Sequence, residues 1–195
     1  MLKIGVLASH TGTNFQAIAD ACQQGDLNAS LALLICNNSS AVVMERASRA
    51  GIPTRHMSSA THPDNLDQAI CDALIQANTQ LVVLAGYMKK LGPAVLNEFE
   101  DRIINVHPSL LPKHGGEGFY GARVHQAVLD AGEPETGATV HLVNAEYDRG
   151  DTLLQEKISV KASDTAESLA DRLRPIEHQL LINAIKNFSE EISNE

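Results

Sequence analysis

The sequence predicts an α/β fold, a mainly parallel twisted sheet with helices on both faces and an antiparallel C-terminal addition. Two observations carry that prediction. Short apolar runs such as LKIGVLA at 2–8, LALLIC at 31–36 and QLVVLA at 80–85 are continuous rather than alternating, the mark of strands buried on both faces. Segments with helical spacing separate them, and strands alternating with helices build a parallel sheet. Near the C-terminus two strands instead follow each other directly, which gives the antiparallel part.

The first strand, 2–8, runs into the turn Ser9-His10-Thr11-Gly12-Thr13-Asn14. A helix follows with Phe15, Ile18 and Cys22 on one face, and Gly25 is placed to stop it. After the strand at 31–36, residues 42–50 read as a helix ended by Gly51, with a short strand near 54–56. A helix of about 14 residues is expected from Pro63, with Leu66, Ile70 and Leu74 at i, i+4 and i+8. The strand at 80–85 leads to a short helix at 93–99 and a further strand at 102–106. A long loop then precedes a helix at 120–131, stopped by Gly132. Strands at 138–143 and 152–160 form a hairpin-like pair around the polar loop 144–151. The last helix starts near Asp164, where Glu167 completes a capping-box pattern. Its apolar face is Leu169, Leu173, Ile176 and Leu180, and Pro175 inside that pattern is expected to kink or break it.

No repeat, low-complexity tract or linker divides the chain, so one domain over residues 1–195 is expected. Its 44 % apolar residues suffice for a substantial core, while no apolar run approaches the roughly 20 residues of a membrane span. Against 15 Lys and Arg stand 24 Asp and Glu, a net charge of −9 that argues against a nucleic-acid-coating surface. Cys22, Cys36 and Cys71 form no C-x-x-C pair, and the start of the chain lacks the long apolar core of a signal peptide. A cytoplasmic location is expected, with neither a disulfide frame nor a thiolate metal site. The eight histidines include no H-E-x-x-H pattern or close pair, so no metal is expected either.

Ligands of open α/β sheets bind at the carboxyl ends of strands, and the turn 9–14 lies at such an end. Gly12 permits close backbone approach, and the amides of Gly12, Thr13 and Asn14 could face an anion at the helix terminus. The turn is neither G-x-G-x-x-G nor a P-loop, and a plain turn with a capping Thr13 or Asn14 accounts for it equally. Asn105-Val106-His107 is more telling. Side chains two apart on a strand share a face, so Asn105 and His107 project together before Pro108 ends the pairing. A carboxamide beside an imidazole suits acyl transfer, one donating to an oxyanion and the other moving a proton. A buried Asn and His satisfying loop backbone would show the same pattern. Asp148, in the loop 144–151 after a strand carrying His141, could orient His107 and favour its protonated form, or could simply serve the turn Asp-Arg-Gly-Asp.

At these residues the sequence resembles the folate-dependent formyltransferase family. The resemblance rests on TGTNFQAI, VLAGYMKKL at 83–91, INVHPSLLP at 104–112, TGATVHLV at 136–143 and YDRGDTLLQ at 147–155, in the family's order. It implies a Rossmann-like formyltransferase fold and transfer of a formyl group from the cosubstrate 10-formyltetrahydrofolate to the amine of glycinamide ribonucleotide, in purine synthesis. By the same resemblance Asn105, His107 and Asp148 match the catalytic Asn, His and Asp. Gly12, Thr13 and Asn14 match the substrate-phosphate loop, and Glu177 matches a Glu that contacts the nucleotide. Met88, Lys89, Leu91, Val143 and Asn144 match the folate side, with Lys89 where many members have Arg; Lys lacks the planar fork of Arg. The loop after Pro112, KHGGEGFYGARVH, is longer and richer in Gly than in the best-known members, so its contacts do not carry over. The partners implied are small molecules, without nucleic acid or membrane, for a monomer or homodimer. Methionyl-tRNA formyltransferase usually adds an RNA-binding domain and formyltetrahydrofolate deformylase an N-terminal one, for which the chain is expected to leave no room. A sugar-amine formyltransferase and a noncatalytic nucleotide- or folate-binding module are the remaining alternatives.

Overall fold

Residues 1–193 are described by a computed structural model. Its elements are β1 (Leu2–Ala8), α1 (Thr13–Gln24), β2 (Ala29–Cys36), α2 (Val42–Arg49), β3 (Thr54–His56), α3 (Leu66–Gln76) and β4 (Leu81–Leu84) in the first half. The second half contains α4 (Pro93–Glu98), β5 (Ile103–His107), α5 (Ala122–Asp130), β6 (Glu135–Leu142), β7 (Thr152–Ser159) and α6 (Ala166–Ser193). All seven strands belong to one sheet in the order β3-β2-β1-β4-β5-β6-β7. The first five are parallel; β6 runs antiparallel to β5, and β7 antiparallel to β6. The α/β class and the antiparallel addition are both as the sequence predicts.

Strand periodicity divides the core between the two faces. Ile4, Val6, Leu34, Val83 and Ile104 pack with Phe15, Ile18, Val43 and Leu181 from α1, α2 and α6. Leu7, Leu33, Ile35, Val82, Leu84 and Ile103 pack instead with Ile70, Leu74, Val95 and Phe99 on the α3 and α4 side. Chain order reverses direction between β1 and β4, so the loops leaving these two strands diverge and a crevice opens at their carboxyl ends.

Element edges shift from the sequence expectation where local chemistry competes. α3 begins at Leu66, three residues after Pro63, because 63–65 form a turn ahead of it. The capping box of α6 is Thr165 with Ser168, not Asp164 with Glu167: the Thr165 N–H donates to Ser168 Oγ at 2.9 Å and the Ser168 N–H to Thr165 Oγ1 at 3.2 Å. Asp164 is drawn off to the Lys161 N–H and the Arg172 guanidinium. α6 also runs unbroken across Pro175. A proline ring removes one hydrogen bond but holds a helical φ. Here Leu169 and Leu173 before it, and Leu180, Leu181, Ala184 and Ile185 after it, are buried and anchor the helix on both sides of the proline, so it is not broken there.

Candidate active site

The face of β5 that carries Ile103 into the core next carries Asn105 and His107, beyond the apolar cluster. The antiparallel register sets Asn105 opposite His141 and His107 opposite Thr139, so four polar side chains share that face at the sheet's end. The loop between β6 and β7 brings Asp148 back over them. Asp148 sits at φ 54°, a left-handed conformation that Asp tolerates better than most residues. Two residues on, Gly150 passes so close to β6 that a Cβ there would lie 1.8 Å from the Leu142 carbonyl oxygen.

His107 is 4 % exposed, with Nδ1 3.5 Å from Asp148 Oδ2 and Nε2 2.9 Å from the His114 carbonyl oxygen. A carbonyl only accepts, so Nε2 carries a proton and Nδ1 is the position that gains or loses one. Burial lowers the His107 pKa below the ordinary 6.5, against the pull of Asp148 and of the His114 carbonyl; the His141 and His114 rings push the same way as burial. Asp148 thus favours the protonated ring, as the sequence reading has it, while burial acts against it with the larger effect. Burial pushes Asp148 upward, but His141, His107 and the Gly116 N–H together hold it below the usual carboxylate range. That N–H donates to Asp148 Oδ2 at 2.8 Å.

Asn105 Nδ2 lies 3.1 Å from His141 Nε2, while His141 Nδ1 lies 2.7 Å from the Leu142 carbonyl and must donate to it. The Asn105 amide directs one N–H toward His141 Nε2 and its second N–H points elsewhere. His141 Nε2 is also 3.5 Å from Asp148 Oδ1, so the three groups form one network. His141 received no role in the sequence reading. The register that sets it across from Asn105 is its signal, and that register is a tertiary fact. The His114 carbonyl and Gly116 N–H were missed as well, since every residue carries such groups.

A cleft of about 410 Å³ opens beside this network, with Leu84, Leu91, Val106 and Val143 contributing apolar wall. Asn105, His107 and Asp148 line it, as do Met88, Lys89, Leu91, Val143 and Asn144. Residues 116–121 and Arg123 of the glycine-rich loop form another wall. Gly12, Thr13, Asn14 and Glu177 are not part of that lining. They gather at the start of α1, where Gly12 has φ 72° and a Cβ would strike the Val43 side chain at 2.3 Å. Asn14 hydrogen-bonds the Glu177 carboxylate; burial pushes Glu177 above the usual range, opposed by Asn14 and Arg174. No side-chain cap occupies the N-terminus of α1, so neither Thr13 nor Asn14 caps it. The two regions meet at Ser9, 2 % exposed, whose Oγ accepts the Met88 N–H at 2.9 Å. Among the described residues no group of three or more His, Cys, Asp and Glu is arranged to hold a metal, and no helix is long and apolar enough to cross a membrane.

Residues 2–185 match the family model described as formyl transferase. The chain belongs to the formyl transferase family. This family member is 42 % identical to a phosphoribosylglycinamide formyltransferase of Haemophilus influenzae, over 97 % of the chain and 88 % of that relative. It is 38 % identical to a chloroplastic phosphoribosylglycinamide formyltransferase of Arabidopsis thaliana, over 97 % of the chain and 66 % of that protein. Among solved structures, a glycinamide ribonucleotide transformylase 1 from Symbiobacterium toebii superposes with a TM-score of 0.92 at 38 % identity, covering 98 % of this formyl transferase and 89 % of that chain. A formyltetrahydrofolate deformylase from Pseudomonas syringae has the same fold, with a TM-score of 0.87 at 22 % identity over 97 % of this chain and 62 % of its own.

Proposed function

We propose that this chain transfers the formyl group of 10-formyltetrahydrofolate to the amine of glycinamide ribonucleotide, a step of de novo purine biosynthesis. The gathering of Asn105, His107 and Asp148 beside a cleft with an apolar wall carries the reading, and relatives named for that activity match nearly the whole chain. The single sheet supports treating residues 1–195 as one domain.

In the proposed reaction the amine nitrogen bonds to the formyl carbon, the bond from that carbon to folate N10 breaks, and a proton passes from the amine to N10. His107 is the group that carries it. Its Nδ1 is free in the neutral ring, takes the proton as the tetrahedral adduct forms, and returns it to the leaving nitrogen. Asp148 stabilises the imidazolium in between, directly or through a water. That imidazolium and the second N–H of Asn105 stabilise the oxyanion of the adduct. Leu91, Val143 and Met88 contribute the folate wall, Lys89 reaches its exposed edge, and Asn144 borders it. On the nucleotide side, the N–H groups at Gly12, Thr13 and Asn14 receive the phosphate at the N-terminus of α1, and Glu177 contacts the nucleotide. No covalent enzyme intermediate or metal is required.

The test is formyl transfer by the purified protein from 10-formyltetrahydrofolate, with glycinamide ribonucleotide, an amino-sugar nucleotide or water as acceptor, and products identified by mass. Formylated glycinamide ribonucleotide at an enzymatic rate is the expected result. Formate released equally without nucleotide would make the chain a deformylase, and sugar product alone would move the acceptor. Folate binding without any turnover would leave a binding module.

A further inference from the structure

Outside the cleft, a second set of charged groups is built onto the back of the same network. Residues 113–116 cross behind His107 as a strap. The His114 carbonyl takes the His107 Nε2 proton, and two residues later the Gly116 N–H holds Asp148 Oδ2. One short segment thus touches both partners of the ion pair. His114 adopts φ 52°, a left-handed conformation uncommon outside glycine, though one that histidine enters more readily than most, and contacts to its ring help to fix it there. Glu133, in the connection between α5 and β6, supplies such a contact. Its Oε1 lies 3.5 Å from His114 Nε2, and it binds Lys113 Nζ at 2.9 and 3.1 Å. The two pairs differ in setting. The Lys113 side chain is 64 % exposed, whereas those of His114 and Glu133 are only 16 % and 20 % exposed.

We propose that Glu133 is a positioning residue for His107: it anchors the His114 ring, fixes the strap, and so keeps the His114 carbonyl on His107 Nε2. The proposal rests on the reading of His107 as the proton-carrying group. The groups facing His107 are Asp148 from the β6–β7 loop, His141 from β6, His114 from the strap and His125 from α5. Those facing Glu133 are Lys113 and His114. Because the carbonyl accepts the Nε2 proton, it favours the protonated ring; freeing it leaves burial less opposed, and His107 then titrates at a lower pH.

The experiment follows the His107 imidazole titration by NMR in the ligand-free protein, beside the pH profile of kcat for formyl transfer to glycinamide ribonucleotide. Glu133→Gln removes the charge with little change in size, and His114→Asn removes the ring while tolerating the left-handed backbone. Glu133→Gln is expected to move the His107 titration to lower pH, and both variants to lower kcat about tenfold with KM for both substrates unchanged, within the range of a misplaced acid–base group. In His114→Asn the shift is smaller, because the ring that opposes His107 protonation is lost as well. The double variant does no more than either single one, as for two members of one contact. Lys113→Met, which removes only the exposed pair, leaves the titration and kcat within about twofold. An unmoved His107 titration in folded Glu133→Gln overturns the proposal, as does an unchanged kcat in folded His114→Asn, which would mean that Glu133 acts through its charge alone. A shift in the expected direction together with no transfer to any acceptor would uphold the positioning role and sink the proposed reaction instead.

Discussion

At the scale of single residues, the proposed reaction separates the side chains around His107 into those that would touch the reacting atoms and those that hold them. Loss of an oxyanion donor costs about 10²–10³ in rate and loss of an acid–base group about 10²–10⁴. His107→Ala and Asp148→Ala are expected to fold, give an unchanged far-ultraviolet spectrum and lose kcat by such factors; full turnover in either would remove it from the reaction. Gly150 makes a different demand. Its added Cβ would meet backbone, the Leu142 carbonyl at 1.8 Å, which cannot swing aside as a side-chain tip can. Gly150→Ala should therefore destabilise by about 1–3 kcal/mol, seen as a lowered denaturant midpoint. It should also lower kcat at least about tenfold, because the loop that yields is the one carrying Asp148. An active, equally stable variant would show that the loop has slack. Much of the residue-level site was legible, since Asn105 and His107 share a face by the period of a strand and Asp148 lies in an identifiable loop. Their meeting with His141 was not, because it depends on the pairing of β5 with β6.

Among elements, the sequence located every strand and helix, and the errors lie at ends where two local solutions compete. Asp164 and Thr165 are adjacent candidates for the N-terminus of α6, and sequence spacing favoured Asp164 with Glu167 three residues on. The folded chain uses Thr165 with Ser168, since Asp164 finds Arg172 about two turns further along the helix. Thr165→Ala removes one of two reciprocal cap bonds and should cost about 1 kcal/mol of stability. Asp164→Ala should leave the two reciprocal cap bonds in place and act through its own partners, the Lys161 N–H, Ser168 Oγ and Arg172. Equal losses in chemical denaturation, with loss of helical protection at the start of α6 in both, would restore the original reading. Pro175 teaches the same lesson with opposite sign: a residue that breaks an isolated helix is carried when both flanking turns are anchored in the core.

For the whole molecule, buried ionisable groups set the response to acid. His107, His125 and His178 are all lowered below the ordinary 6.5, each chiefly by burial. A group with a depressed folded pKa leaves the unfolded chain holding more protons between its two pKa values, so stability rises with pH across that interval. The contribution is complete above about pH 6.5 and is lost as pH falls through the lower folded values. Asp148, also lowered, adds a loss in the same direction at more acid pH. Glu177 is raised and opposes it, stabilising below its ordinary 4.5 and less so as pH climbs through its folded value. The unfolding midpoint in urea is therefore expected to fall between about pH 7.5 and pH 5, with the decline starting near the histidine range. A flat midpoint across that interval would mean that these rings take up protons in the native fold as readily as in the unfolded chain, or that Glu177 offsets them. None of this was visible in a count of eight histidines, because burial is a property of the assembled sheet and helices.

The bond from the Met88 N–H to Ser9 Oγ spans the point where the chain order reverses, tying the segment proposed to face folate to the loop proposed to hold the nucleotide. Two ligands that lean on opposite ends of one hydrogen bond do not bind independently. If nucleotide binding steadies Ser9, it strengthens folate binding by a factor that folate must return to the nucleotide, since a coupling free energy has no preferred direction. Ser9→Ala should bring each dissociation constant, measured with and without the other ligand, closer to agreement while leaving both sites in place. Unchanged coupling in that variant would mean that the ligands communicate by contact with each other, and that the protein between them is only a frame.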